Sequence, residues 1–323
     1  MTVPGHDIPG AAGSSTFVVA GESLVDIVVP ADGSGRHDAV GGSCLNVAVG
    51  LARLDVPTTL ATRVGDDELG RLVLQHVEDS RVALAAGSVV PGGVTSTATA
   101  HLDAHHAATY DFEIEWDLAT PSLPTGTLGL HVGSLGTTLE PGRTAVAHLV
   151  REAADADVFV SYDPNVRPFF LTDRDAAWRD VREMGSGARL VKLSDEDLRL
   201  LRPDDTEDDV CHALLGGRTE LVVLTRGAAG ATAFTEGSSV DVPAPPTDVV
   251  DTVGAGDSFM AAMLALLWDW DVVRGGEGTL AALDDARVEL LVRGAVAAAA
   301  VTCSRRGANP PTRRELPPTW PAG

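Results

Sequence analysis

The residues best equipped for chemistry fall in one short stretch, Asp251-Thr252-Val253-Gly254-Ala255-Gly256-Asp257-Ser258. Gly254, Ala255 and Gly256 let a ligand come close to the main chain and leave N–H groups free to point one way. The apolar run that follows, residues 259–267, reads as a helix, so the positive end of its dipole is aimed at the same ligand. Such a turn suits an anion. Asp257 is an acid beside that anion hole, ill suited to binding a phosphate but well suited to taking a proton from a hydroxyl that attacks one. For a G-x-G alone the plainer alternative is a strand-to-helix turn with an acidic cap.

Groups of this kind need a frame to hold them. Short β-branched runs at residues 16–20, 25–29, 58–63, 129–132, 158–163, 190–193, 221–225 and 231–234 read as strands. Amphipathic patterns at 43–54, 66–82, 142–154 and 195–201 read as helices between them. This alternation implies a parallel sheet covered on both faces. Asp163-Pro164-Asn165-Val166-Arg167 follows one buried-type strand, so its polar side chains emerge at the C-terminal edge, where ligands of open α/β sheets collect. Residues 95–116 break the pattern. They alternate polar and apolar, turn near 103–106 and alternate again, as a hairpin does.

Composition narrows the partners. The 323-residue chain carries 24 Lys and Arg against 46 Asp and Glu, a formal charge of −22, which speaks against nucleic acid or an anionic membrane surface. Lys192 is the sole lysine, a ratio that in this Ala- and Arg-rich chain carries no functional meaning by itself. Cys44, Cys211 and Cys303 are odd in number and lack a C-x-x-C pair, which points to a reducing compartment rather than a disulfide framework. With no charged-then-apolar leader and no long uninterrupted apolar run, a cytoplasmic protein is expected. His101, His105 and His106 lack a matched acid or Cys set, so no metal is assigned to them.

The eight residues Asp251–Ser258 resemble the second signature of the ribokinase-like (PfkB) carbohydrate kinases, and further matches follow in family order. Gly41-Gly42-Ser43-Cys44-Leu45-Asn46-Val47-Ala48 is similar to the first signature, G-G-x-x-x-N-x-A, although Ser43 as a helix cap with a flexible hinge is a plain alternative. The resemblance implies that Gly41, Gly42 and Asn46 contact sugar hydroxyls, joined by Asp26 after the first strand and by Arg167. An ordinary strand-end turn for Asp26 and a loop salt bridge for Arg167 remain open. Arg63-Val64-Gly65-Asp66-Asp67 also fits the family pattern, with Asp66 or Asp67 expected to cap the next helix. The same likeness makes Asp257 the general base and the Gly254, Ala255 and Gly256 amides the stabilisers of the migrating phosphoryl group.

On the nucleotide side it implies Lys192, Ser194, Thr225, Gly227, Gly230, Gly254, Gly256, Ala308 and Asn309. Ser194 as a plain helix cap and Thr225–Gly230 as a hairpin turn are the competing views. Where relatives carry N-x-x-E, this chain has Ser194 and Asp197, with Glu196 adjacent; these acids are expected to hold Mg2+ through water. Oxygens of Asp251, Val253, Cys303 and Gly307 are implied for a K+ ion, with a helix C-cap as the alternative.

Taken with the resemblance, the expected fold is α/β, a three-layer α/β/α sandwich with a mostly parallel central sheet plus a small β-sheet lid. Residues 1–15 read as a flexible leader, 16–312 as the kinase domain with lid segments near 26–40 and 93–118, and 313–323 as a tail. The expected activity is transfer of the ATP γ-phosphate to a primary sugar hydroxyl. Gly21-Glu22-x-Leu24-Val25-Asp26, the D-P-N-x-R form and Arg306-Gly-Ala-Asn-Pro310 favour the fructokinase branch, with 2-keto-3-deoxygluconate kinase, then ribokinase, as alternatives. A nucleoside acceptor is disfavoured because the lid lacks a clear aromatic clamp, and a phosphosugar because only Arg63 and Arg167 offer cations. A catalytically silent sugar or nucleotide sensor is the non-enzyme alternative, and a lid-mediated homodimer the expected assembly.

Overall fold

The computed structural model describes residues 15–32, 35–103, 108–119, 122–274, 279–317 and 320. In chain order the first third holds β1 (Thr16–Ala20), β2 (Leu24–Val29), β3 (His37–Gly41), α1 (Ser43–Arg53), β4 (Thr58–Ala61), β5 (Val64–Gly65), α2 (Glu68–Asp79), β6 (Ala83–Leu84), β7 (Val89–Val90) and β8 (Thr97–Leu102). There follow β9 (Ala108–Glu113), β10 (Thr127–Gly133), α3 (Gly142–Asp155), β11 (Phe159–Asp163), α4 (Arg174–Gly185), β12 (Leu190–Ser194), α5 (Asp195–Leu201) and α6 (Glu207–Leu214). The last third contains β13 (Leu221–Thr225), β14 (Ala231–Phe234), β15 (Ser239–Val242), α7 (Ala255–Asp269) and α8 (Asp285–Cys303).

Nine strands form one sheet in the order β15-β14-β13-β12-β11-β10-β1-β4-β6. It is parallel from β6 to β13, and the last two strands turn back antiparallel. Its strands are apolar on both faces because helices cover both. One face packs Phe17, Phe159, Leu190 and Val223 against α1, α7 and α8; the other packs Leu130, Val160, Val191 and Val222 against α3, α4 and α6. The expected three-layer α/β/α sandwich is the fold observed.

A second sheet, β3-β2-β8-β9, grows from the C-terminal edge of the first. β2 continues from β1 through residues 21–23, and β3 returns into α1 through Gly42, so both connections leave and re-enter at that edge. Leu24 and Ala98 of this sheet meet Leu135, Leu139 and Phe170 from loops beyond β10 and β11. The predicted turn at 103–106, with His105 and His106, lies outside the described residues apart from Asp103, and His101 pairs with Asp111 across β8 and β9.

Several boundaries moved for local reasons. The helix expected from 66 starts at Glu68 because the Asp67 side chain caps it, accepting from the Gly70 amide at 2.7 Å. The strand expected to reach 63 stops at Ala61. The helix expected from 259 starts four residues earlier, at Ala255, because Gly254 enters it from the left-handed region at φ +74°. The leader, apart from Ser15, and most of 318–323 lie outside the described residues. Residues 313–316 pack on the domain, where Arg313 bonds the Asp269 carboxylate and the Leu54 carbonyl, both at 2.6 Å.

Candidate active site

Strand order runs outward from β1 to β4 and β6 and then resumes on the other side at β10, so the sheet reverses between β1 and β10. Loops beyond such a reversal part and leave a crevice. Here the crevice is furnished by Glu22 after β1, Gly136 after β10 and Asp163 to Arg167 after β11.

Into it point the N-termini of α1 and α7. These helices touch where a methyl at Gly50 would stand 2.6 Å from the Ala261 Cβ, so only a glycine permits the approach. One turn back along each helix, Asn46 and Asp257 meet. Asn46 Nδ2 donates to Asp257 Oδ2 at 2.8 Å, and Ser43 Oγ donates to Asp257 Oδ1 at 2.7 Å. Asp257 is buried, and burial raises its carboxyl above the usual range, against the opposing pull of these two hydrogen bonds; Asp163 adds to the rise and Arg167 opposes it. Among the described residues no side chain caps α7; the Ala255 amide turns instead to the Thr252 carbonyl at 3.2 Å, so it is not among the free donors expected of this turn, and those of Gly256 and Asp257 are left to a ligand.

Beside the acid lies a buried ion pair. Lys192 Nζ, from the middle of β12, stands 2.6 Å from Asp163 Oδ2. Burial alone would lower the ammonium, but Asp163, with Asp197 and Asp257 behind it, outweighs that and raises it, so Lys192 stays charged. A methyl at Gly256 would lie 3.6 Å from Nζ, which places this cation against the α7 turn. Under it, burial and then Lys192 push His131 down to about 3, so that ring stays neutral.

Glu22 is the second buried acid. Its oxygens accept from the Ser43 amide at 3.0 Å and the Gly136 amide at 2.9 Å, tying the entry of α1 to the loop after β10. Burial nevertheless pushes its carboxyl up to about 7. Asp26 on β2 is raised by burial and held back by Arg167, whose charge is felt at Glu22, Asp26 and Asp257 alike. Arg167 itself is exposed and makes no ion pair among the described residues.

Farther along the edge the polar atoms serve their own turns. Arg226 N donates to Gly230 O at 2.8 Å, closing the β13–β14 hairpin. Ser194 and Asp197 form a reciprocal cap on α5, and Asp197 Oδ1 also accepts from the Val166 amide at 2.7 Å. Asp251 accepts from the amides of Val253 and Gly307 at 3.0 and 2.8 Å, and the Cys303 carbonyl takes those of Val250 and Asp251. A methyl at Gly254 would stand 2.6 Å from the Ala308 Cβ, so the C-terminal loop lies directly on the α7 turn.

The sequence pattern of the pfkB family carbohydrate kinases matches residues 16–314. The chain belongs to this family. It is 34% identical over 265 residues to a fructokinase of Rhizobium leguminosarum bv. trifolii, an alignment covering 78% of this chain and 79% of that one. The crystal structure of a fructokinase from Vibrio cholerae O395 with fructose, ADP and calcium bound superposes with a TM-score of 0.74 at 26% identity, covering 91% and 94% of the two chains. The ATP-bound fructokinase of Xylella fastidiosa shares the fold, with a TM-score of 0.76 at 24% identity over 91% and 93%. The protein is thus a sugar kinase, a phosphotransferase with an alcohol group as acceptor. No helix among the described residues is long and apolar enough to cross a membrane.

In this pfkB kinase the fold gathers Asp26, Gly41, Gly42, Asn46, Arg167 and Asp257 around one crevice. A methyl at Gly41 would stand 2.3 Å from Asp26 Oδ2, and one at Gly42, where φ is +111°, would hit the Glu22 carbonyl. Ser194 and Thr225 fall at neighbouring strand ends, in register, and Lys192 lies two residues before Ser194 within β12. Gly227 and Gly230 belong to the hairpin turn, the plainer of their two readings. Ser194 is a helix cap, also the plainer reading. Asp197 spends both oxygens on its cap and on Val166, and Glu196 faces solvent, so neither is poised as a direct ligand. Among the described residues no three His, Cys, Asp or Glu side chains converge for a metal. A divalent ion here would therefore rest mainly on substrate phosphates and water, as magnesium commonly does.

Arg63, counted as a free cation at the acceptor pocket, is not free: Glu115 and Asp117 bind it at 3.2 and 3.1 Å. The aromatic content of the lid was understated as well. Phe112 on β9 lies 4.6 and 5.4 Å from Phe169 and Phe170, centroid to centroid, and 5.9 Å from Tyr110. Half of that cluster comes from the loop after β11, which no reading of residues 93–118 alone reveals. Ser43, read only as a helix cap, and Asn165 and Glu22, present only within their motifs, also reach the site, and that placement was their one signal.

Proposed function

We propose that this kinase moves the ATP γ-phosphoryl group to a primary hydroxyl of a small neutral sugar, with fructose the leading acceptor and Asp257 the general base. The observation that carries the reading is a buried carboxylate on the first turn of α7, beside first-turn amides with no side-chain cap and within the field of Lys192. The sugar hydroxyl gives its proton to Asp257 as its oxygen attacks phosphorus, and charge developing on the phosphoryl oxygens is met by the amides of Gly254, Gly256 and Asp257 and by Lys192. Mg2+ held by the phosphates and water would neutralise the remaining phosphate charge. With Arg63 held by Glu115 and Asp117, the acceptor crevice offers few free cations, which disfavours an acceptor that already bears phosphate.

One observation supports a second acceptor. Arg167 is exposed at the crevice mouth without an ion pair among the described residues, and a bidentate guanidinium suits the carboxylate of 2-keto-3-deoxygluconate. Coupled ADP release across fructose, ribose and 2-keto-3-deoxygluconate decides between them. Asp257→Asn should lower kcat about 10²–10⁴-fold with ATP binding retained; near-normal turnover removes Asp257 from its role.

A further inference from the structure

Ser43 begins α1 without any side-chain capping bond to its own helix. Its hydroxyl works elsewhere. Asn165, held at φ +38° in the loop after β11, donates its Nδ2 proton to Ser43 Oγ at 2.9 Å. An amide nitrogen cannot accept, and an ionised carboxylate cannot donate. The single hydroxyl proton of Ser43 must therefore lie on the other side, towards Asp257 Oδ1. Asn46 satisfies Oδ2 in the same way, so each carboxylate oxygen holds one donor and keeps a lone pair for an incoming hydroxyl.

We infer that Ser43 is a positioning residue for the Asp257 base, with Asn165 setting the direction of its hydroxyl. The inference rests on the proposed role of Asp257. Its physical content is that a buried carboxylate needs donors to stay ionised and to keep its plane fixed. The charged and titratable groups around Asp257 are Asp163 at the end of β11, Arg167 beyond it, Lys192 on β12 and the Cys44 thiol on α1, with Glu22 reached through the Ser43 amide. Asp163 disfavours the ionised form and Arg167 favours it, and Ser43 and Asn46 are the donors bonded to the carboxylate. If Asn46 also meets the sugar, Ser43 is the donor left wholly to the base.

The test is the pH dependence of kcat with fructose and Mg–ATP. Loss of one charge-assisted hydrogen bond in Ser43→Ala should move the acidic limb up by about one pH unit. The plateau should fall roughly tenfold as the carboxylate loses its orientation. Ser43→Thr, which keeps a hydroxyl, should return the limb towards wild type, and Asn165→Ala should shift it in the same direction by less. An acidic limb that stays put in Ser43→Ala, whatever happens to stability, overturns this inference alone. Wild-type failure to turn over fructose, or full turnover by Asp257→Asn, strikes the proposed function and this inference with it.

Discussion

The two sides of the crevice are built differently. On the proposed acceptor side, Glu22, Ser43, Asn46, Asn165 and Asp257 come from distant parts of the chain and bond one another inside the protein. On the proposed donor side, Asp197, Asp251 and the 225–230 turn spend their polar atoms on neighbouring backbone, while Val249, Val250 and Val253 stand 61, 58 and 52% exposed. A pre-bonded pocket presents fixed donors and acceptors to hydroxyls, where a small error in placement costs most. A nucleotide asks less of side chains, because amides and apolar surface suffice for phosphates and a base. Apart from Asp257 and Ser43, whose loss is read in turnover, the contrast predicts that acceptor-side changes damage folding or its pH dependence, whereas donor-side changes damage turnover or nucleotide affinity with folding intact.

The largest expected effect tests the seam between the halves. Lys192→Met leaves Asp163 buried and unpaired, which should cost about 3–5 kcal/mol of stability in urea unfolding; unchanged stability would break the contrast at its centre. Next comes the pH dependence of Glu22. Its carboxyl sits at about 7 in the fold against an ordinary 4.5, so its stabilising contribution is complete below pH 4.5 and lost as pH rises through 7. The loss is about 3 kcal/mol at most. Urea melts at pH 4.5 and 8 should differ less in Glu22→Gln than in wild type.

Gly254→Ala probes the donor side. The new methyl meets Ala308 and the backbone must leave φ +74°, so the amides shift and kcat should fall about 10²-fold, with the KM for fructose nearly unchanged. The smallest effect sharpens the same point. Val250→Ser should raise the KM for ATP about twofold to fivefold by removing apolar contact, and the melt should move by no more than about 0.5 kcal/mol.

What could be read in advance follows the same division. The turn at 251–258 was legible because its chemistry is local: small residues, an acid and a helix in one stretch. The alternation that defines the main sheet was legible for the same reason. The bond from Ser43 to Asp257 spans 214 positions and joins two helices whose contact depends on Gly50 and Ala261, so no local pattern contains it. Burial of Glu22 was equally hidden, since a Glu after a strand is ordinarily solvated. Val249 and Val250 stand at the opposite extreme. β-Branched residues favour extended backbone, but here that backbone pairs with the Cys303 carbonyl outside the sheet and leaves both side chains exposed.

The glycine at position 50 has a mechanical consequence. With no space between α1 and α7, Asn46 and Asp257 are carried on a single stiff strut, while Asp26 and Gly41 ride on the separate small sheet β3-β2-β8-β9. Were that sheet to swing, it would alter admission to the crevice without detuning the alignment of base and reacting hydroxyl. Timing and accuracy would then be governed by separate parts of the molecule.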